Sequence, residues 1–292
     1  MDKPLPAEDL HPTTRALLSR HGVRETLAGL GLRPSRRMGQ SFLAEPAALF
    51  HILKAADLDP QDAVLEVGPG LGVLTGELAR RAGRLVAVEL DRRLAARLRE
   101  QFRDAAHVML VEGDILRQDP GQLMSWQPYK VVANLPYAIT SPVLRHLLEA
   151  RPAPRRLVVM VQWEVALRIT AGPPDMSMLA LAVQYYAAPE IVVRVPAGCF
   201  VPAPQVDSAV LRLEVFPQPR VPVPPERFFP LARLAFAHPR QQMGKTLSAG
   251  LGRPRDEVDA ALTAAGVEPQ RRPEAVGVEE WGRIARALEA VG

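Results

Sequence analysis

The 292-residue chain holds one cysteine, Cys199. An internal disulfide framework is therefore excluded, and a reducing, cytoplasmic setting is expected. Lysine is nearly missing: Lys3, Lys54, Lys130 and Lys245 are the whole set. No apolar run approaches the roughly 18 residues needed to cross a bilayer, so no membrane span is expected. The start, MDKPLPAEDLHPTT, carries Asp2, Glu8 and Asp9 without an apolar segment, so neither a secretory signal nor a transit peptide is expected. The six histidines are scattered, none at a metal-ligand spacing from a carboxylate or the cysteine, and no metal is expected.

What is abundant is arginine, behind a net charge of +4. Guanidinium groups bind phosphate bidentately and stack on bases, which fits a nucleic-acid partner. A GC-rich coding sequence would give the same bias together with the many Ala and Pro, so local clusters say more. Two are short and basic, Arg33/Arg36/Arg37 and Arg151/Arg155/Arg156.

Along the chain, residues 1–30 are polar and read as an N-terminal extension. Pro46 opens a helix through Ala56, at a first-turn position where a missing N–H is tolerated. Short β-rich runs at 63–67, 84–90, 107–114, 130–137 and 155–162 then alternate with helical stretches at 74–82, 91–102, 140–150, 163–171 and 177–187. That alternation predicts βαβ units and a mostly parallel sheet, an α/β fold. After residue 190, EIVVRVP and DSAVLRLEV have no helix between them and read as neighbouring strands at a sheet edge. The stretch 216–228 holds five prolines in thirteen residues and reads as a linker. Helical periods at 226–237, 242–251, 255–265 and 277–290 follow. The expected domains are thus an extension (1–30), an α/β domain (31–216) and a small all-helical domain (217–292).

Polar residues gather at the strand ends. EVGPGLGVLT (66–75) joins a strand to a helix and carries Gly68, Gly70 and Gly72, but Val73 stands where a dinucleotide fingerprint would need its third glycine. Such a turn serves a structural tight turn as readily as a cofactor. Glu89 ends the second strand, where a carboxylate can accept from both ribose hydroxyls, and Asp114 follows the third. Asn134 ends the fourth, in VVANLPY. One sheet edge therefore collects Gly68, Glu89, Asp114 and Asn134, a set suited to an adenosine-containing cofactor. An exocyclic amine attacking a methyl sulfonium is a poor nucleophile until acceptors bind its N–H groups. The Asn134 oxygen supplies one acceptor. The carbonyl of Leu135 or Pro136 supplies another, held by the fixed φ of proline. Tyr137 offers a stacking face. The competing reading is an Asx-turn and a proline turn closing a strand.

These motifs resemble the KsgA-type ribosomal RNA adenine N6,N6-dimethyltransferases, a family of S-adenosylmethionine-dependent enzymes with a Rossmann-like sheet. RRMGQSFL (36–43) is similar to the family's basic-Gly-Gln-x-Phe-Leu motif. GPGLGVLT, VELD, EGD and NLPY follow in family order. QWEVALRITA (162–171) resembles its Gln-x-Glu-x-x-x-Arg helix, and VPAGCFVPAPQVDSAVLRL (195–213) its Phe-x-Pro-x-Pro-x-Val-x-Ser signature.

The resemblance implies a cofactor site of Gln40, Ser41, Leu43, Gly68, Gly70, Glu89, Leu90, Asp114, Ile115 and Asn134. It implies methyl transfer at Asn134, Leu135, Pro136 and Tyr137, with Phe200 sandwiching the flipped base. RNA contacts are expected from Arg36, Arg37, Arg240 and Lys245. The implied activity is dimethylation of N6 on two adjacent adenines near the 3′ end of small-subunit rRNA, by a monomer acting on a pre-30S particle. The sequence departs from the family at Ser41, usually Asn or His, and at FAHPRQQMGKTL (236–247), which lacks the Arg-Arg-Lys run. An erythromycin-resistance type enzyme acting on large-subunit rRNA, and an RNA-binding assembly factor with little turnover, are the rival readings. A nicotinamide dehydrogenase is disfavoured by Val73.

Overall fold

The computed structural model describes residues 7–34 and 40–290. The chain begins with α1 (Pro12–Leu17), α2 (Arg20–Gly29), β1 (Phe42–Leu43) and α3 (Pro46–Ala56). The βα alternation follows: β2 (Ala63–Val67), α4 (Val73–Arg81), β3 (Arg84–Glu89), α5 (Arg92–Gln101), β4 (Val108–Glu112), α6 (Pro120–Leu123), β5 (Lys130–Asn134), α7 (Thr140–Glu149) and β6 (Arg156–Gln162). Next come α8 (Trp163–Thr170), α9 (Met178–Tyr186), β7 (Ala187–Val195), β8 (Phe200–Val201) and β9 (Ser208–Val215). Four helices end the chain: α10 (Pro225–Phe236), α11 (Met243–Leu251), α12 (Arg255–Ala264) and α13 (Val278–Ala290).

Seven strands form one sheet in the order β4-β3-β2-β5-β6-β9-β7. The first five are parallel, with Glu66 opposite Ala87 and Leu65 opposite Val131, whereas β9 runs antiparallel to β6. Strands β2 and β6 are buried on both faces along most of their length, which is why they read as unbroken apolar runs. From β2 the chain moves outward to β3 and β4, then returns to place β5 on the other side. That reversal opens a crevice at the carboxyl ends of β2 and β5, where open α/β sheets bind ligands.

Local chemistry sets the element ends. The Glu45 side chain accepts from the Ala47 N–H at 3.4 Å before Pro46, and Asp91 caps α5 through the Arg93 N–H at 2.9 Å. The third strand is shorter than its sequence suggests. Asp114 turns the chain by accepting from the Leu116 N–H at 3.0 Å, opening a 3-10 turn at 115–117.

The segment taken as an extension is two helices packed into the α/β unit. Leu17 and Val23 are buried. The Thr14 hydroxyl donates to the Val73 carbonyl at 3.0 Å, and the buried Glu77 carboxylate accepts from the His11 N–H at 2.7 Å. A Cβ at Gly76 would stand 2.5 Å from Thr14 Oγ1, so α1 reaches α4 only because that position is glycine.

The chain divides into two compact units: residues up to Ala166 with Glu190–Val215, and Leu167–Pro189 with Phe216 onward. The expected division at 216 therefore has a second part. Residues 167–189 group with the C-terminal helices, where Tyr185 on α9 packs on Phe228 and Phe229 at 4.7 and 5.0 Å between ring centroids. The proline-rich linker is shorter than its composition suggests, since Pro225 occupies the first turn of α10.

Candidate active site

The turn after β2 bends through left-handed backbone at Gly68 (φ 67°), Gly70 (φ 60°) and Gly72 (φ 91°), and α4 starts at once. Only glycine takes these angles without strain. The Gly70 N–H donates to Glu89 Oε2 at 2.9 Å, and the Asp91 N–H donates to Oε1 at 2.9 Å. Both Glu89 oxygens are thereby aimed by the backbone. Burial pushes the Glu89 carboxyl above its ordinary pKa, and the two N–H groups pull it back.

A cavity of about 290 Å³ opens at this turn. All ten residues that the sequence assigned to a cofactor line it, from Gln40 and Ser41 to Ile115 and Asn134. Leu90 is half exposed and Ile115 buried, giving apolar faces beside the carboxylates of Glu89 and Asp114. The fit to an adenosine cofactor with a cationic tail is good. The acidic groups are on the walls, the glycine turn brings backbone to the cavity, and Glu66 adds a buried carboxylate that has no hydrogen-bond partner among the described residues.

Asn134 to Tyr137 line the same cavity. The Asn134 Nδ2 donates to the Ser41 carbonyl at 3.2 Å, which fixes the carboxamide and leaves Oδ1 as its acceptor. The Pro136 carbonyl already accepts from the Ile139 N–H at 3.1 Å and the Thr140 hydroxyl at 3.4 Å. Of the two carbonyls left open by the sequence, Leu135 is the one without such partners among the described residues. The Tyr137 hydroxyl shares a 2.6 Å hydrogen bond with Ser208 on β9, which pins the ring. Burial raises the Tyr137 pKa, so the phenol stays neutral.

Phe200 is not brought to the cavity. It is fully buried, opposite Leu43 in the two-stranded β1–β8 pair, and it supports the strand whose Phe42 and Leu43 line the cavity. The apolar core claims the ring that the resemblance assigned to base stacking. Arg240 and Lys245 are exposed in the second unit, in the α10–α11 connection and the first turn of α11. Arg36 and Arg37 lie outside the described residues. Cys199 is half-buried, with its thiol pushed up by burial, as suits a structural residue.

Among the lining residues that escaped the sequence reading are Leu17, Val23 and Glu66. The first two carry no local signal, because only packing carries α1 and α2 to the cavity. Glu66 did carry one, being the single polar residue of AVLEV.

A sequence profile described as Ribosomal RNA adenine dimethylase matches residues 32–289. The Ribosomal RNA small subunit methyltransferase A of Dehalococcoides mccartyi is 45% identical over 262 residues, 89% of this chain and 90% of that protein. The protein of the same name from Moorella thermoacetica is 43% identical over 271 residues, covering 89% and 94%. Among solved structures, the 23S rRNA methyltransferase ErmE superposes with a TM-score of 0.69 at 32% identity, covering 85% of this chain and 99% of its own. A dimethyladenosine transferase from Plasmodium falciparum has the same fold, with a TM-score of 0.73 at 21% identity over 86% of this chain and 98% of its own.

Proposed function

This chain belongs to the ribosomal RNA adenine dimethylase family, and from that premise we propose that it dimethylates N6 of two adjacent adenines near the 3′ end of small-subunit rRNA. S-Adenosylmethionine, when bound, supplies a methyl group made electrophilic by its sulfonium. Everything else falls to the chain. Glu89 would hold the ribose, and Asp114 and the Ile115 backbone the adenine, with Leu90 against its face. The target base leaves any stack, at a few kcal/mol, and lies against Tyr137. Asn134 Oδ1 and the Leu135 carbonyl accept from its amino group, favouring a tetrahedral nitrogen with a free lone pair. No strong base is needed, because the nitrogen becomes acidic as it is alkylated. Alignment of this kind is worth roughly 7–11 kcal/mol.

The observation that carries the reading is the Asn134–Ser41 hydrogen bond of 3.2 Å, which presents a fixed carboxamide oxygen at a cavity shared with Glu89 and the glycine turn. Asn134→Ala is expected to lower methyl transfer to small-subunit RNA at least about 100-fold at saturating cofactor. Wild-type turnover in that variant would refute the role. The helical unit, Arg36, Arg37, Arg240 and Lys245 would hold RNA through phosphate contacts and shape. We assign the substrate to a pre-30S particle, and the enzyme to the cytoplasm as a monomer. The likeness to ErmE keeps a large-subunit target as the second reading. Mapping dimethyladenosine in rRNA from cells lacking the protein separates the two.

A further inference from the structure

We propose that Trp163 and Arg194 form a second stacking site, which holds the adenine next to the one being methylated. This deepens the reading of the chain as a dimethylase of two adjacent adenines and rests on it.

Trp163 follows β6 at the carboxyl edge of the sheet and opens α8. It stands at an unspecified position of the Gln-x-Glu-x-x-x-Arg motif, so the resemblance gives it no role. Its side chain is half-buried, and the Arg194 guanidinium lies over the indole with Cζ 4.9 Å from the ring centroid. Arg194 is near the end of β7, and 57% of its side chain is exposed. A planar cation on an indole makes a flat, half-open stack, and unpaired RNA bases are recognised by stacking on aromatic rings and guanidinium planes.

Consecutive residues tie this stack to the methyl-transfer site. At the start of β9, Ser208 meets the Tyr137 hydroxyl at 2.6 Å. The preceding residue, Asp207, accepts from Arg194 Nε at 2.9 Å and lies 2.8 Å from Nη2. The Asp207 carbonyl accepts from the Trp163 N–H at 2.9 Å. Gln162 lies opposite Ser208 across the β6–β9 pair, so Trp163 and Asp207 extend that register by one residue. One end of one strand pair therefore sets both the ring that faces the target base and the stack beside it. The Ala197 N–H donates to Asp207 Oδ1 at 2.9 Å. That bond, and then Arg194, hold the Asp207 carboxyl below its ordinary range, so the clamp on Arg194 is charged at neutral pH.

Two other uses of the pair are weaker. A brace for the loop would gain little from an exposed ion pair. A phosphate contact would need a free cation, and Asp207 neutralises this one. What Trp163 and Arg194 together still offer is a face, and the natural occupant is the base whose neighbour lies against Tyr137.

The test uses the full chain and small-subunit particles whose rRNA carries both target adenines, or an abasic ribose in place of either one. With wild type, an abasic neighbour is expected to lower kcat/KM for methylating the remaining adenine by about 5-fold to 150-fold, the range for losing one stacked base. Trp163→Ala is expected to lower kcat/KM on the intact substrate by a similar factor, mainly through KM. Its affinity for S-adenosylmethionine should be unchanged, which separates lost stacking from a damaged fold. It should also be indifferent to the abasic replacement, whereas Trp163→Phe, which keeps a ring, should recover most of the activity and the sensitivity. Trp163→Ala with the full wild-type sensitivity overturns the proposal. Wild type indifferent to both abasic replacements overturns it without any variant, while leaving the dimethylase reading standing. Failure of wild type to form dimethyladenosine on any small-subunit particle overturns that reading and the stacking site with it.

Discussion

Glu66 shows how one residue can carry opposed demands. Its carboxyl is raised from 4.5 to about 8 in the folded protein, so the folded state binds a proton that the unfolded chain has already lost above pH 4.5. Stability contributed by this group is therefore full below about pH 4.5 and declines as pH rises toward 8, by about 1.4 kcal/mol per pH unit. Glu89, also raised by burial, acts in the same direction. Asp62, Asp91 and Glu280 are lowered and act oppositely, losing their contribution only in acid. In Glu66→Gln the alkaline decline is expected to flatten. The check is urea unfolding of the cofactor-free protein at about pH 6 and 8.5, where the variant should gain on wild type at the higher pH.

Elements decide who reaches the cavity. Helix α1 approaches α4 across Gly76 and brings Leu17 to the cavity wall, and α2 brings Val23. A branched side chain at position 76 cannot coexist with Thr14 Oγ1, which lies 2.5 Å from where its Cβ would stand. Gly76→Val is expected to lift α1, raise hydrogen exchange across residues 12–29 and weaken cofactor binding several-fold, leaving the central strands protected. Unchanged exchange in that segment would contradict this packing account. The β1–β8 pair follows the same logic. Phe200 supports Leu43 from the core, so a motif that suggested base stacking has a packing role here. Ser208, the serine of that same motif, is the residue that reaches the site, through Tyr137.

For the whole molecule, domain division and charge matter. Tyr185 and Tyr186 on α9 pack against Phe229 of α10, so a chain cut at residue 216 keeps α9 without its partners. Such a truncation is expected to bind hydrophobic dye and melt well below the full chain; a sharp, unshifted transition would count against the division. Arg240 and Lys245 are exposed, and among the described residues neither forms an ion pair. If they hold phosphate, replacing each by alanine should reduce the slope of log affinity against log salt by about 0.7–0.9. An unchanged slope in the double variant removes them from the RNA surface.

The sequence alone determined the sheet edge, because strand alternation and the polar ends at Gly68, Glu89, Asp114 and Asn134 are local properties with fixed periods. It also carried the family resemblance in the order of its motifs. The tertiary structure decided which atoms are spoken for: the Pro136 carbonyl is taken, Asn134 Nδ2 is tied to Ser41, Phe200 is core and, among the described residues, Glu66 has no hydrogen-bond partner. It also decided that α1 and α2 form part of the cavity and that 167–189 groups with the C-terminal helices. These outcomes depend on contacts between residues far apart in the chain, and no local pattern records which of two distant partners a side chain meets.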